Sequence, residues 1–157
     1  MLKLTPENTE IYAIQPKPNA TSLCSLSQTA RVFIWASRCL AFRAADPDHV
    51  GLMLEKHLGP CGPVALAHQY VFLRLLVESA APQRIALHQP SCPCLGDDEA
   101  RLIEAISWFS VGQTDKGTDC LARTIRTAPS TALITAAQDL ALLYADFPAE
   151  HGAQCMM

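Results

Sequence analysis

The chain has 157 residues, 50% of them apolar, enough to bury a single core without disulfide or metal staples. Its 12 lysines and arginines stand against 15 aspartates and glutamates, a net charge of -3. That sign and size set aside a general binder of nucleic-acid backbones. Seven cysteines, an odd number, scattered behind a start that lacks the apolar run of a secretory signal, do not describe an exported disulfide framework, so reduced thiols and a cytoplasmic location are expected.

In chain order, residues 1–20 carry Pro6, Pro16 and Pro18 around Ile11-Tyr12-Ala13-Ile14, the pattern of an extended arm with at most a short strand. A first long helix is expected from about Ser22 to Ala44, with Leu23, Leu26, Ala30, Phe33, Ser37 and Leu40 on one buried stripe. Its other side holds Arg31, Trp35, Arg38 and Phe42, successive turn neighbours. Large aromatics beside arginines point to a subunit or partner contact, although the N-terminal arm could equally cover Trp35. Asp46-Pro47 caps a short second helix to His57, and Leu58-Gly59-Pro60 ends it. Gly62-Pro63 opens a third helix to about Ala80, apolar nearly all round and hence central.

The runs Val32 to Phe42 and Val64 to Val77 are too interrupted by charge to span a bilayer. Arg84 to His88 is either a buried extended piece or a helical turn. The loop His88-Gln-Pro-Ser-Cys-Pro-Cys-Leu-Gly follows, and Asp97, Asp98 and Glu99 suit the first turn of a fourth helix, where acidic groups complement the helix dipole. Leu102, Ile103, Ile106 and Phe109 form its stripe, and Gly112 closes it. Thr114 or Asp115 caps a fifth helix that stops before Pro129, and Ser130 caps a sixth. Trp108, Gly112 and Pro129 resemble one tetratricopeptide unit, but the proline comes too early and no second copy exists, which excludes a repeat solenoid. The expected architecture is all-α: an irregular antiparallel bundle of five to six helices with no convincing strand pair, an N-terminal arm (1–20), one helical domain (21–147) and a C-terminal tail (148–157).

Three groups of residues carry candidate chemistry. Cys92 and Cys94, separated by Pro93, are two thiols before a helix start whose N–H groups favour thiolate. They could share zinc or iron with His88, His57 and Cys61, close as a redox pair, or fill a tight corner. His68, Gln69 and Arg74 on the greasy third helix need polar partners and could line a pocket. Cys24, Cys39 and Cys120 read as small core residues. The phosphate loop, the Gly-x-Ser-x-Gly elbow, His-Glu-x-x-His and the dinucleotide fingerprint are absent from the sequence, so catalysis is not the expected activity.

The segment from Cys92 to Leu102, with the helix pair after it, resembles small uncharacterised all-helical bacterial proteins bearing a cysteine-rich loop ahead of an acidic helix. The resemblance covers the C-terminal third; it implies the helical fold and adds no catalytic residue. The expectation is therefore a non-enzymatic interaction or oligomerisation domain, with a protein partner or a second copy, no nucleic acid, no membrane and no cofactor. The alternative is a metal-binding or thiol-redox protein centred on Cys92 and Cys94.

Overall fold

A computed structural model describes residues 11–13 and 21–144. Pro6, Ile14, Pro16, Pro18 and the tail at 148–157 lie outside the described residues. Six helices follow one another: α1 (Gln28–Phe42), α2 (Pro47–Leu58), α3 (Gly62–Ala80), α4 (Asp97–Ser110), α5 (Thr114–Ile125) and α6 (Thr131–Leu143). They form an irregular all-helical bundle. Helix α3 lies against α1, α2, α5 and α6, while α4 lies against α5 and α6. Among the described residues no helix is long and apolar enough to cross a membrane.

Local chemistry sets the boundaries. Ser27 Oγ accepts from Ala30 N–H at the start of α1, Asp46 from Asp48 N–H at α2 and Ser130 from Leu133 N–H at α6, each satisfying a donor that the first turn leaves unpaired. The first helix is shorter than its apolar stripe predicts. Residues Leu23–Ser25 form a separate 3-10 turn, because Thr21–Ser22 are drawn into a strand and Ser27 is the better cap. Helix α5 starts after Gln113, whose side chain makes no capping bond, rather than on a Thr114 or Asp115 cap.

The expectation of no strand pair is corrected: there are two short ladders, one of which ties the arm to the body. Strand β1 (Ile11–Ala13) runs parallel to β3 (Ile85–Leu87), with Ile11 opposite Ile85 and Ala13 opposite Leu87. Strand β2 (Thr21–Ser22) runs antiparallel to β4 (Cys94–Leu95), with Ser22 opposite Cys94. Ladders of two and three residues carry no periodicity of their own, which is why the sequence pattern hides them.

The core is continuous through Phe33, Leu54, Phe72, Leu73, Leu76, Leu102, Ile106, Leu121, Leu133 and Leu140, all wholly buried. A polar chain runs through it. Tyr144 Oη donates to Gln69 Oε1 (2.6 Å), and Gln69 Nε2 donates to Phe33 O and Ser37 Oγ (both 2.8 Å). The Tyr144 ring also meets Phe33 edge to face at 5.5 Å, so α6 is fastened to α3 and α1 by directional bonds as well as by burial.

Candidate functional site

Residues 88–99 fold around one side chain from α1. Arg38 is fully buried, and its Nε and Nη2 donate to the two carboxylate oxygens of Glu99 at 2.8 and 2.7 Å. Nη1 donates to Gln89 O and Cys92 O, and Nη2 also to Cys94 O (3.3, 2.8 and 2.6 Å). A guanidinium has five N–H donors, and all five are matched. Glu99 is equally committed, accepting from His88 N–H (2.8 Å) and from Gly96 N–H (3.0 Å). The second of these bonds satisfies a free donor at the start of α4. Asp98 beside it accepts from Ala86 N–H in β3 (2.8 Å) and from Arg101 (3.0 Å).

This arrangement corrects two expectations. Arg38 does not face outward with Arg31 and Trp35; residues 89–99 cover α1 at that position, and a guanidinium buried there needs a carboxylate and carbonyls to replace water. The acidic start of α4 does more than complement the dipole, because Glu99 binds the backbone of the preceding loop and Asp98 that of β3.

The loop is extended at its cysteines. The carbonyls of Cys92 and Cys94 both point to Arg38, while that of Pro93 between them points away to Leu23 N–H (2.7 Å). In such a backbone alternate side chains share a face, so both thiols lie on one side. Both cysteines are half-buried. His88 is buried, and its Nδ1 lies 3.6 Å from Cys92 Sγ. Desolvation pushes the Cys94 thiol above its ordinary pKa; a hydrogen bond with Cys92 and the charge of Cys92 push it the same way, against the opposing charge of Arg38. At Cys94 the direction is thus opposite to the thiolate that the nearby helix start led the sequence to suggest.

The other proposed ligands do not join the loop. His57 Nδ1 is 3.1 Å from Gln28 Nε2 on the α1–α2 side, and Cys61 is exposed in the Gly59–Cys61 turn. Among the described residues no three His, Cys, Asp or Glu side chains are grouped to hold a metal ion. Cys39 and Cys120 are buried as expected, whereas Cys24 is exposed, since the first helix begins after it.

Of the expected contact face, Arg31 and Trp35 remain at the surface, lining a shallow depression of about 210 Å³ with Gln28, Val32, Met53 and His57. Trp35 is half-buried there with its ring edge-on to His49 at 6.3 Å, and Phe42 is half-buried against the core. The expected pocket of His68, Gln69 and Arg74 is likewise dispersed. Gln69 belongs to the core chain, Arg74 pairs with Glu78 (2.8 Å), and His68 lines an open groove between α3 and α6.

Sequence reasoning missed a cleft of about 470 Å³ along α4, lined by Leu26, Leu95, Ala100, Ile103, Glu104, Ser107, Trp108 and Val111. Its α4 positions recur at steps of three and one, a full helical stripe beside the buried one. Trp108 is half-buried, with Lys116 Nζ 4.4 Å above its ring and its Nε1 donating to Glu104 (3.4 Å). The signal in the sequence was Trp108 and Val111 falling off the Leu102-Ile106-Phe109 stripe. The chain matches no protein-family model, no curated protein and no solved structure.

Proposed function

We propose that the chain is a non-enzymatic helical binding module that acts by association, and that its docking surface is the α4 cleft rather than the outer face of α1. The observation that carries this reading is the cleft's composition. A tryptophan and five aliphatic side chains line it, Leu26 and Leu95 facing positions 100 to 111, while Glu104, Lys116 and Arg123 stand at its margin, Arg123 lying 3.9 Å from Glu104. An apolar centre holding tryptophan within a charged rim is the anatomy of a protein interface. Positions 100 to 111 extend about 16 Å along the helix axis, which suits the apolar face of a partner's amphipathic helix laid alongside. The six described cysteines are unpaired, and the reading places the protein in a reducing, cytoplasmic setting.

The test is Ala100→Trp, which fills the cleft from an exposed position without touching the core. Wild type and variant, matched for thermal stability, are compared by quantitative co-purification and by sedimentation. A stoichiometric partner retained by wild type and lost from the variant is the expected result; identical recoveries and identical sedimentation would overturn it.

A further inference from the structure

A different part of the molecule carries an activity that association does not use. We propose that Cys92 and Cys94 form a reactive dithiol that exchanges with an organic disulfide, Cys92 as the attacking thiol, Cys94 as the resolving thiol and His88 as the group that receives the Cys92 proton. Three observations converge on it. The alternation of the carbonyls at 92, 93 and 94 puts both sulfurs on one face of an extended segment. The His88 Nδ1 lies 3.6 Å from Cys92 Sγ. Arg38 pins the backbone at both cysteine carbonyls, so the two thiols are presented together.

The roles of the two cysteines follow from their surroundings. The imidazole of His88 stands against Cys92 Sγ, which gives Cys92 a proton acceptor for the attack, while desolvation and the neighbouring Cys92 sulfur raise the Cys94 thiol and leave it to the resolving step. In the first step the Cys92 thiolate attacks one sulfur of RS–SR′; a Cys92–S–S–R bond forms, and R′S⁻ leaves and takes up a proton. In the second, Cys94 loses its proton and attacks Cys92 Sγ, forming Cys92–S–S–Cys94 and releasing RS⁻. The protein gives up two electrons and two protons, and the disulfide becomes two thiols.

The co-reactant is an organic disulfide because it supplies both the bond that breaks and the acceptor of the two electrons the dithiol gives up, and the departing thiolate needs no fixed donor.

The experiment uses the full chain carrying Cys24→Ser, Cys61→Ser and Cys155→Ser, which leaves the loop thiols with only the buried Cys39 and Cys120, and 5,5′-dithiobis(2-nitrobenzoate) is the probe. Tryptic peptide 85–101 contains Cys92 and Cys94 and no other cysteine. The expected result is release of two aryl thiolates per loop and a peptide two hydrogens lighter, with no adduct retained. In Cys94→Ser the aryl adduct should persist on Cys92, and in Cys92→Ser the initial rate should fall about tenfold or more. His88→Asn should shift the rate profile to higher pH while keeping the two-thiol stoichiometry; the groups around Cys92 are His88 and Cys94, with Arg38 and Glu99 behind the backbone. Stable separate adducts on both cysteines, or a loop that stays reduced in the wild-type loop sequence, would overturn the proposal.

Discussion

Arg38 and Glu99 stand 61 residues apart in the chain and share two hydrogen bonds of 2.8 and 2.7 Å with no solvent exposure on either side chain. The pair joins α1 to the first turn of α4 and fixes the loop between β3 and α4. Removing one partner leaves the other charge buried, which costs about 3–5 kcal/mol, whereas removing both with residues of similar volume costs far less than the sum. Arg38→Met and Glu99→Leu should therefore each lower the urea midpoint strongly and couple favourably in the double variant. The double variant should still fall short of wild type, because His88 N–H and Gly96 N–H lose their acceptor. Additive losses would show that the pair does not act as a unit.

Gly62 starts α3 where it crosses the end of α2. A Cβ there would run into the backbone N and Cα of Glu55, and backbone atoms cannot swing aside. Gly62→Ala should destabilise by about 3 kcal/mol, the upper range for overpacking. Gly51 in α2 is the contrast: its Cβ would meet Leu66 Cδ2 at 3.4 Å, an ordinary contact. Gly51→Ala should be neutral or stabilise by up to about 1 kcal/mol through helix propensity. Thermal melts of the two variants give the comparison directly.

Tyr144→Phe keeps the ring against Phe33 and removes only the hydroxyl. Gln69 Oε1 then loses its donor inside the core, at a cost of about 1–3 kcal/mol. Chemical denaturation should place the variant in that range, and amide exchange in α6 should rise relative to α4. A variant as stable as wild type would mean that burial alone holds α6.

Alkaline pH should weaken the fold. Burial pushes the Cys39 thiol from 9.0 up to about 11, against the lowering influence of Arg38, and desolvation also raises Tyr144 above the ordinary tyrosine value. Both groups keep their protons longer when folded than when unfolded. The stability this confers is complete below pH 9 and is lost as pH climbs through 11. Unfolding free energy measured from pH 8 to 11 should fall, and Cys39→Ala should flatten the early part of that decline. A stability that rises over this interval would contradict the burial of both groups.

Much of the bundle was legible because its signals are local. Asp46-Pro47, Gly62-Pro63 and Ser130 mark helix starts by chemistry acting within a turn, and the structure begins α2, α3 and α6 there. Arg38 was misplaced because a helical face is inferred from neighbours three and four residues away, and the group that neutralises it lies far along the chain. Even so, an arginine between Ser37 and Cys39 in a greasy helix asked for a buried acid, and Glu99, three residues after Gly96, was the one acid of its cluster at the capping position. The α4 cleft was only half legible for another reason: Trp108 and Val111 fall off the buried stripe, but which neighbours leave them uncovered is not written in a single stripe.

The Arg38 contacts also bear on the order in which a growing chain becomes satisfied. Synthesis delivers α1 well before Gln89, Cys92, Cys94 and Glu99, so the guanidinium has none of its eventual acceptors while α1 to α3 are being made. It must stay in water until then. Helix α1 therefore lacks the partners of its guanidinium until the start of α4 is made, and β1 likewise lacks its partner strand until β3 is made. Closure of the body is thus timed by residues 85 to 99, and the N-terminal half meets the cell as an unfinished surface for as long as that stretch takes to appear.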